Sequence, residues 1–202
     1  MTEEPSADAA GGGPGRRRLL LVLAATAVTV LVVDQLSKAW AVEVLTGRGR
    51  VDLVGDLFGL RLTRNPGAAF SLATGATWIF TILAAVVVIV IARIARDLGS
   101  RTWAVTLGLL MGGATGNLVD RLVREPGFAR GHVVDFFELP HYPIFNVADS
   151  CIVTAAILIG WLGLRGVGVD GRRPSTSGKS GRAGKTSEDA DAVQAGRPTP
   201  DA

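Results

Sequence analysis

The stretch Leu72–Ala92, LATGATWIFTILAAVVVIVIA, carries no charged side chain over 21 residues, close to the roughly 20 apolar residues a helix needs to cross the hydrocarbon of a bilayer. Working outward, Thr102–Val119 is a second uncharged run, of 18 residues. Leu19–Val33 is a third, following Arg16-Arg17-Arg18, and a fourth lies between about 144 and 165. A chain that is 48% hydrophobic yet keeps its charge between such runs does not resemble a water-soluble domain. The expectation is an all-α integral membrane fold, a four-transmembrane-helix bundle with spans at about 17–42, 73–96, 101–121 and 144–165. A secretory signal peptide is the alternative for the first span. Against it, the run continues through Asp34-Gln35-Leu36-Ser37-Lys38 to Trp40, and three more spans follow.

Between the spans lie two polar connections, about 43–72 and 122–143. In the first, Leu57-Phe58-Gly59-Leu60-Arg61-Leu62 suggests short strands, giving a small extracytoplasmic β-rich loop subdomain. The membrane domain is therefore 17–166, between an N-terminal extension, 1–16, and a tail, 167–202. Both extensions are expected to be disordered, the tail because its Gly, Ser, Thr, Pro, Lys and Asp content offers too little apolar surface to offset ordering. Arg16–Arg18, then Arg93, Arg96 and Arg101, then Arg165, Arg172 and Arg173 fall at alternate helix ends on one side. The positive-inside rule makes that side, with both termini, cytoplasmic. The net charge of +3 is thus a topology signal, and nucleic acid is not an expected partner.

At 1.5 Å per residue Asp34 lies about 24 Å past Arg18 and Asp120 about 28 Å past Arg101, so both approach the outer surface. Asn65, Asp135, Asn146 and Asp149 belong to outer loops or helix ends, and six polar groups collect at one depth. Each can simply be solvated among headgroups, but an ionisable group near a membrane is expensive enough to suggest function. Asp34 and Lys38, spaced i and i+4, read as a structural ion pair, and Asp120 beside Arg121 reads as scaffold, although Arg121 can also offer donors to a carbonyl or lipid phosphate. Asp135 and Asp149 differ, because no Lys or Arg three or four positions away neutralises them. His132 is the partial exception. Two carboxylates in a poorly solvated site do not both ionise easily, so one keeps a proton. Amide hydrolysis needs that arrangement: the anion takes a proton from water, while the acid hydrogen-bonds the carbonyl and then protonates the leaving nitrogen. Asn117, Asn146 and Arg121 are placed to position substrate or stabilise developing negative charge. The small residues of Gly112–Gly116 allow close approach of a neighbouring backbone, whether for packing or for substrate.

Five blocks, Asp34-Gln35-Leu36-Ser37-Lys38, Asn65-Pro66-Gly67-Ala68-Ala69-Phe70-Ser71, Gly112 through Arg121, Val133-Val134-Asp135-Phe136 and Phe145-Asn146-Val147-Ala148-Asp149-Ser150, occur in this order. Together they make the chain, over roughly 19–165, resemble lipoprotein signal peptidase, also called signal peptidase II. The resemblance implies a bacterial plasma-membrane aspartic endopeptidase; a monomer among membrane lipids, with no cofactor, is expected. It removes signal peptides from prolipoproteins just before a diacylglyceryl-modified cysteine. It places the catalytic pair on Asp135 and Asp149, and substrate-binding or supporting roles on Asp34, Lys38, Asn65, Asn117, Asp120, Arg121 and Asn146. The active site is expected near the outer face.

Rival readings fare worse. A transporter or proton channel predicts polar residues at several depths, and a non-catalytic anchor gives no reason for two unpaired Asp in outer segments. Cys151 alone excludes an intramolecular disulfide and lies in an apolar run, where an inert thiol is the simpler reading. His132 and His141 do not space as zinc ligands, and His-Glu-x-x-His is absent. Gly11–Gly15 lacks the Lys-Ser/Thr of a phosphate loop, and Gly166–Asp170 lacks the spacing of the Gly-x-Gly-Asp proteases.

Overall fold

A computed structural model describes residues 14–67 and 77–172 of the chain. The apolar runs are helices: α1 Pro14–Leu45, α2 Thr77–Ile94, α3 Arg101–Val123 and α4 Val147–Leu164. A 3₁₀ turn at Ala95–Asp97 closes α2. Three helical segments, Gly15–Leu45, Thr77–Asp97 and Val147–Leu164, are long and apolar enough to cross a membrane. Pro14 at the first position of α1 suits a helix start, since its missing N–H has no intrahelical partner there.

α3 differs from the expectation drawn from its uncharged run, because Gly, Thr and Asn dilute its apolar character. Its position explains that composition, for α1, α2 and α4 each pack on it, and its polar and small residues face protein. A Cβ at Gly112 would sit 2.7 Å from the Ala27 carbonyl oxygen of α1, and one at Gly113 2.6 Å from the Ala148 oxygen of α4. Only glycine permits both approaches, and backbone-to-backbone contact of this kind replaces the hydrophobic driving force that lipid does not supply.

Two apolar cores mark opposite ends of the bundle. Leu23, Ile91, Ala95, Leu98, Trp103, Leu107 and Leu162 join the start of α1, the end of α2, the start of α3 and the end of α4. Ala41, Leu45, Leu60, Val134 and Phe136 join the end of α1 to a sheet. The sheet has three antiparallel strands in the order β1 Val51–Val54, β2 Phe58–Asn65 and β3 Val133–Glu138. β1 and β2 fulfil the strand expectation for the first loop. β3 adds a strand to the 122–143 connection, for which the sequence suggested none, and the fold is helical with a small sheet built from both long connections. Four of its residues, Val133 through Phe136, are buried, so the two-residue alternation that betrays a half-buried strand is absent.

Residues 167–172, assigned to the tail from composition, correct that boundary. Val167 and Val169 pack on the first core, Gly99 N–H donates to Val169 O at 3.0 Å, and Trp103 Nε1 donates to Val167 O at 3.0 Å. Two valines, whose carbonyls accept from Gly99 and Trp103, give this short piece the burial that the polar composition beyond it lacks. Of the extensions expected at 1–16 and 167–202, residues 1–13 and 173–202 lie outside the described residues, as do residues 68–71 of the second sequence block, while 14–16 correct the first extension by forming the start of α1.

Candidate active site

Nine polar residues singled out in the sequence converge where α1, α3, the sheet and the start of α4 meet. Strand pairing places Thr63 opposite Asp135 and Asn65 opposite Val133, so Asn65 and Asp135 are diagonal neighbours on one face. Asn65 Nδ2 donates to Asp135 Oδ2 at 2.9 Å, and Asn65 Oδ1 accepts the Gly67 N–H at 2.8 Å. At Gly67, φ is +116°, and the place of a Cβ is taken by the Phe80 ring, 2.5 Å away. A glycine is therefore required for the turn that presents Asn65.

Asn146 is the N-cap of α4 and Asp149 its N3 residue, joined in a capping box. Asn146 Oδ1 accepts the Asp149 N–H at 2.9 Å, and Asp149 Oδ2 accepts the Asn146 N–H at 3.2 Å. The cap satisfies helix-end donors, yet it leaves two atoms for other work. Asn146 Nδ2 donates to Asp135 Oδ1 at 2.7 Å, and Asp149 Oδ1 accepts from Asn117 Nδ2 at 2.8 Å. Asn146 thus holds both carboxylates, one with its side chain and the other with its backbone.

Beneath them lies a buried charge network. Lys38, wholly buried, meets Asp34 Oδ2 at 2.8 Å, Asp120 Oδ2 at 3.0 Å and Asn117 Oδ1 at 2.9 Å. Asp34 Oδ1 accepts the Ala148 N–H at 2.9 Å, tying α1 to the first turn of α4. Asp120 takes Arg124 Nε at 2.7 Å and the Val134 N–H at 3.1 Å, which fixes β3 one residue before Asp135. The scaffold reading of Asp120 beside Arg121 changes in one respect: the cations on Asp120 are Lys38 and Arg124. Arg121 instead lies over the Phe80 ring, 5.1 Å from its centroid, with Nη1 buried and lacking a hydrogen-bond partner among the described residues.

Asp135 is 1% exposed, while Asp149 keeps partial exposure. Burial pushes the Asp135 carboxyl up from 3.8 to about 6. The nearby charge of Asp149 adds to the rise, and the donors Asn65 and Asn146 and the charge of Lys38 oppose it. Arrangement and proton affinity are of the kind that acid–base chemistry uses.

Gln35 and Arg124 belong to the network although the sequence reading gave them no role. Gln35 Nε2 lies 3.1 Å from Asp34 Oδ2 and from Gly116 O, and 3.3 Å from Asp120 Oδ1. The i, i+4 spacing of Asp120 and Arg124 was the available signal for the second. Thr81 is also buried, donating to Ala129 O at 2.8 Å and so linking α2 to the loop before β3.

Comparison with known proteins gives a consistent picture. The family model described as signal peptidase (SPase) II matches residues 26–165. The chain is 54% identical to the lipoprotein signal peptidase of Rhodococcus jostii over 147 residues, 73% of this chain and 74% of that protein. It is 47% identical to the lipoprotein signal peptidase of Mycobacterium avium over 175 residues, 86% of this chain and 96% of that protein. A solved bacterial membrane enzyme, 26% identical, superposes with a TM-score of 0.63 over 74% of this chain and 94% of its own.

Proposed function

Since the chain belongs to the signal peptidase II family and removes signal peptides from prolipoproteins, we propose that it cuts the peptide bond as an aspartic endopeptidase, with Asp135 and Asp149 as the catalytic pair. The observation that carries this reading is the double hold of Asn146, whose Nδ2 meets Asp135 at 2.7 Å and whose N–H meets Asp149 at 3.2 Å. Two carboxylates from different elements are thereby brought to one residue, with no Lys or Arg ion-paired to either among the described residues.

In this reading the reactive form of the pair holds one proton, assigned to Asp135, the more buried member, whose carboxyl burial raises to about 6. Asp149 takes a proton from the attacking water as the oxygen bonds to the scissile carbonyl carbon, and Asp135 hydrogen-bonds the carbonyl oxygen. The C–N bond then breaks as the leaving nitrogen receives a proton from the pair, which ends with the single proton it began with. Arg121, with a buried nitrogen unpartnered among the described residues, supplies a donor to a substrate carbonyl. Asn65 and Asn117 hold the two carboxylates in place.

The substrate is a prolipoprotein cut before a diacylglyceryl-modified cysteine. The enzyme acts as a monomer in the bacterial plasma membrane, its lipid partner, with both termini cytoplasmic and the pair near the outer face. α3 serves as the fourth span: its 23 residues cover about 34 Å, and its flanking helices shield it from lipid. The test is cleavage of diacylglyceryl-modified and unmodified precursor by the purified chain in detergent, beside Asp135→Asn and Asp149→Asn. Cutting of the modified precursor alone, abolished in both folded variants, is expected. Near-parental rates in the variants would remove the carboxylates from the chemistry.

A further inference from the structure

We propose that Lys38 is a positioning residue for the reaction: its ammonium dictates which way the Asn117 carboxamide faces, and so fixes the N–H that Asn117 presents to Asp149. This deepens the aspartic reading of the site and rests on it.

An ammonium has three N–H donors and no acceptor. All three donors of Lys38 are used, on Asp34 Oδ2, Asp120 Oδ2 and Asn117 Oδ1. Since nothing on Lys38 can accept, only the carbonyl oxygen of Asn117 can face it at 2.9 Å. The reversed amide would set an NH₂ group against the wholly buried Lys38 ammonium. With its oxygen held, Asn117 must aim Nδ2 the other way, where it meets Asp149 Oδ1 at 2.8 Å. The second amide obeys the same logic. The Asp149 N–H, a pure donor, claims Asn146 Oδ1, so Asn146 Nδ2 is left for Asp135 and, at 3.2 Å, for Asn117 Oδ1. The two amides thereby share one direction, anchored by a buried cation at one end and a helix N–H at the other.

The simpler role for Lys38 is to neutralise Asp34 and Asp120 and pin α1 to α3. A charge-balanced pair of substitutions separates the two. In Asp34→Asn/Lys38→Met the cation leaves together with one carboxylate. Asp120 keeps Arg124 and the Val134 N–H, and the oxygen of Asn at position 34 can still accept the Ala148 N–H. If Lys38 only balances charge, this variant works. If it orients Asn117, the variant folds with a melting temperature near the parent's while kcat falls about 10²-fold, as for a displaced catalytic group, and KM changes little.

A second variant, Asn117→Asp, keeps an oxygen on Lys38 but replaces the donor facing Asp149 with a carboxylate oxygen. The groups around it are Asp34 and Lys38 from α1, Asp120 and Arg121 from α3 with Arg124 at its end, Asp135 from β3 and Asp149 from α4. The added carboxylate competes with the pair for a proton, so the acid limb of the kcat/KM profile moves up by about one pH unit. The series is run on a diacylglyceryl-modified prolipoprotein with Asp135→Asn and Asp149→Asn alongside. Dead single variants with an Asp34→Asn/Lys38→Met chain within about threefold of parental kcat overturn the Lys38 assignment alone. Active single variants overturn the pair itself, and this inference with it. Should the double substitution fail to fold, Asn117→Asp decides, and a parental rate and pH profile overturns the proposal.

Discussion

Substituting Gly113 with alanine tests whether the α3–α4 spacing sets the catalytic geometry. The added Cβ would lie 2.6 Å from the Ala148 carbonyl oxygen and 2.8 Å from Ile152 Cγ1, where ordinary contact begins at 3.4 Å. Backbone cannot give way as a flexible side chain does, so α4 must retreat by about 0.8 Å at the residue preceding Asp149. A retreat of that size stretches the 2.8 Å bond between Asn117 Nδ2 and Asp149 Oδ1 past the limit of a hydrogen bond. Misplacement near 1 Å costs about 10²-fold in rate. Stability changes less, because overpacking costs about 1–3 kcal/mol while alanine in a helix returns up to about 1 kcal/mol. Gly160→Ala, on α4 with no atom within 4 Å of the added Cβ, is the control. The assay is kcat/KM for a lipid-modified prolipoprotein in detergent together with thermal unfolding. A Gly113→Ala enzyme with parental kcat/KM would refute the claim that helix spacing holds the pair.

Three further outcomes are expected. Asp135 titrates at about 6 in the fold against 3.8 when free, so the native state binds this proton more tightly than the unfolded chain. Stability therefore falls as pH rises between those values, by at most about 3 kcal/mol, and is flat above them. Asp135→Asn should flatten that slope when melting is followed from about pH 4 to about pH 7, and an unchanged slope would show that the proton resides elsewhere. Asn65→Ala removes a donor from Asp135 and an acceptor from Gly67 N–H, and kcat should drop about 10–10²-fold with the fold retained; single-turnover cleavage at saturating substrate measures it. Gly99→Ala drives a Cβ into the Asp170 backbone at the far end of the bundle from the pair. It should lower thermal stability by about 1–3 kcal/mol, with parental turnover well below the melting point. A loss of turnover there would mean that the contact at this end of the bundle reaches the proposed catalytic pair.

The helices were legible because length without charge is a physical requirement of a bilayer, as the uncharged residues of α2 from Thr77 to Ala92 illustrate. The Asp34–Lys38 pair was legible from i, i+4 spacing. Its third and fourth members, Asn117 and Asp120, arrive from α3, and no local pattern announces a contact across so many residues. β3 escaped because a strand buried on both faces looks like any short apolar run. The Asn146–Asp149 box combines both cases: the three-residue spacing is readable as a cap, but the two atoms it leaves over for Asp135 and Asn117 are a tertiary fact.

Charge explains why this site is built as it is. Asp34, Asp120, Asp135 and Asp149 face Lys38, Arg121 and Arg124, four carboxylates against three cations. One negative charge remains in a largely buried region, where an uncompensated charge is far more costly than in water. A single proton on the Asp135–Asp149 pair brings the cluster to neutrality, and a pair sharing one proton is the state the proposed hydrolysis starts from. The proton count thus belongs to the cluster rather than to either carboxylate. A scaffold meant only to join α1 to α3 would be at least as stable with apolar side chains in place of Asp34 and Lys38. What apolar packing cannot supply is a fixed donor direction at Asn117 and a charge balance that stops one proton short.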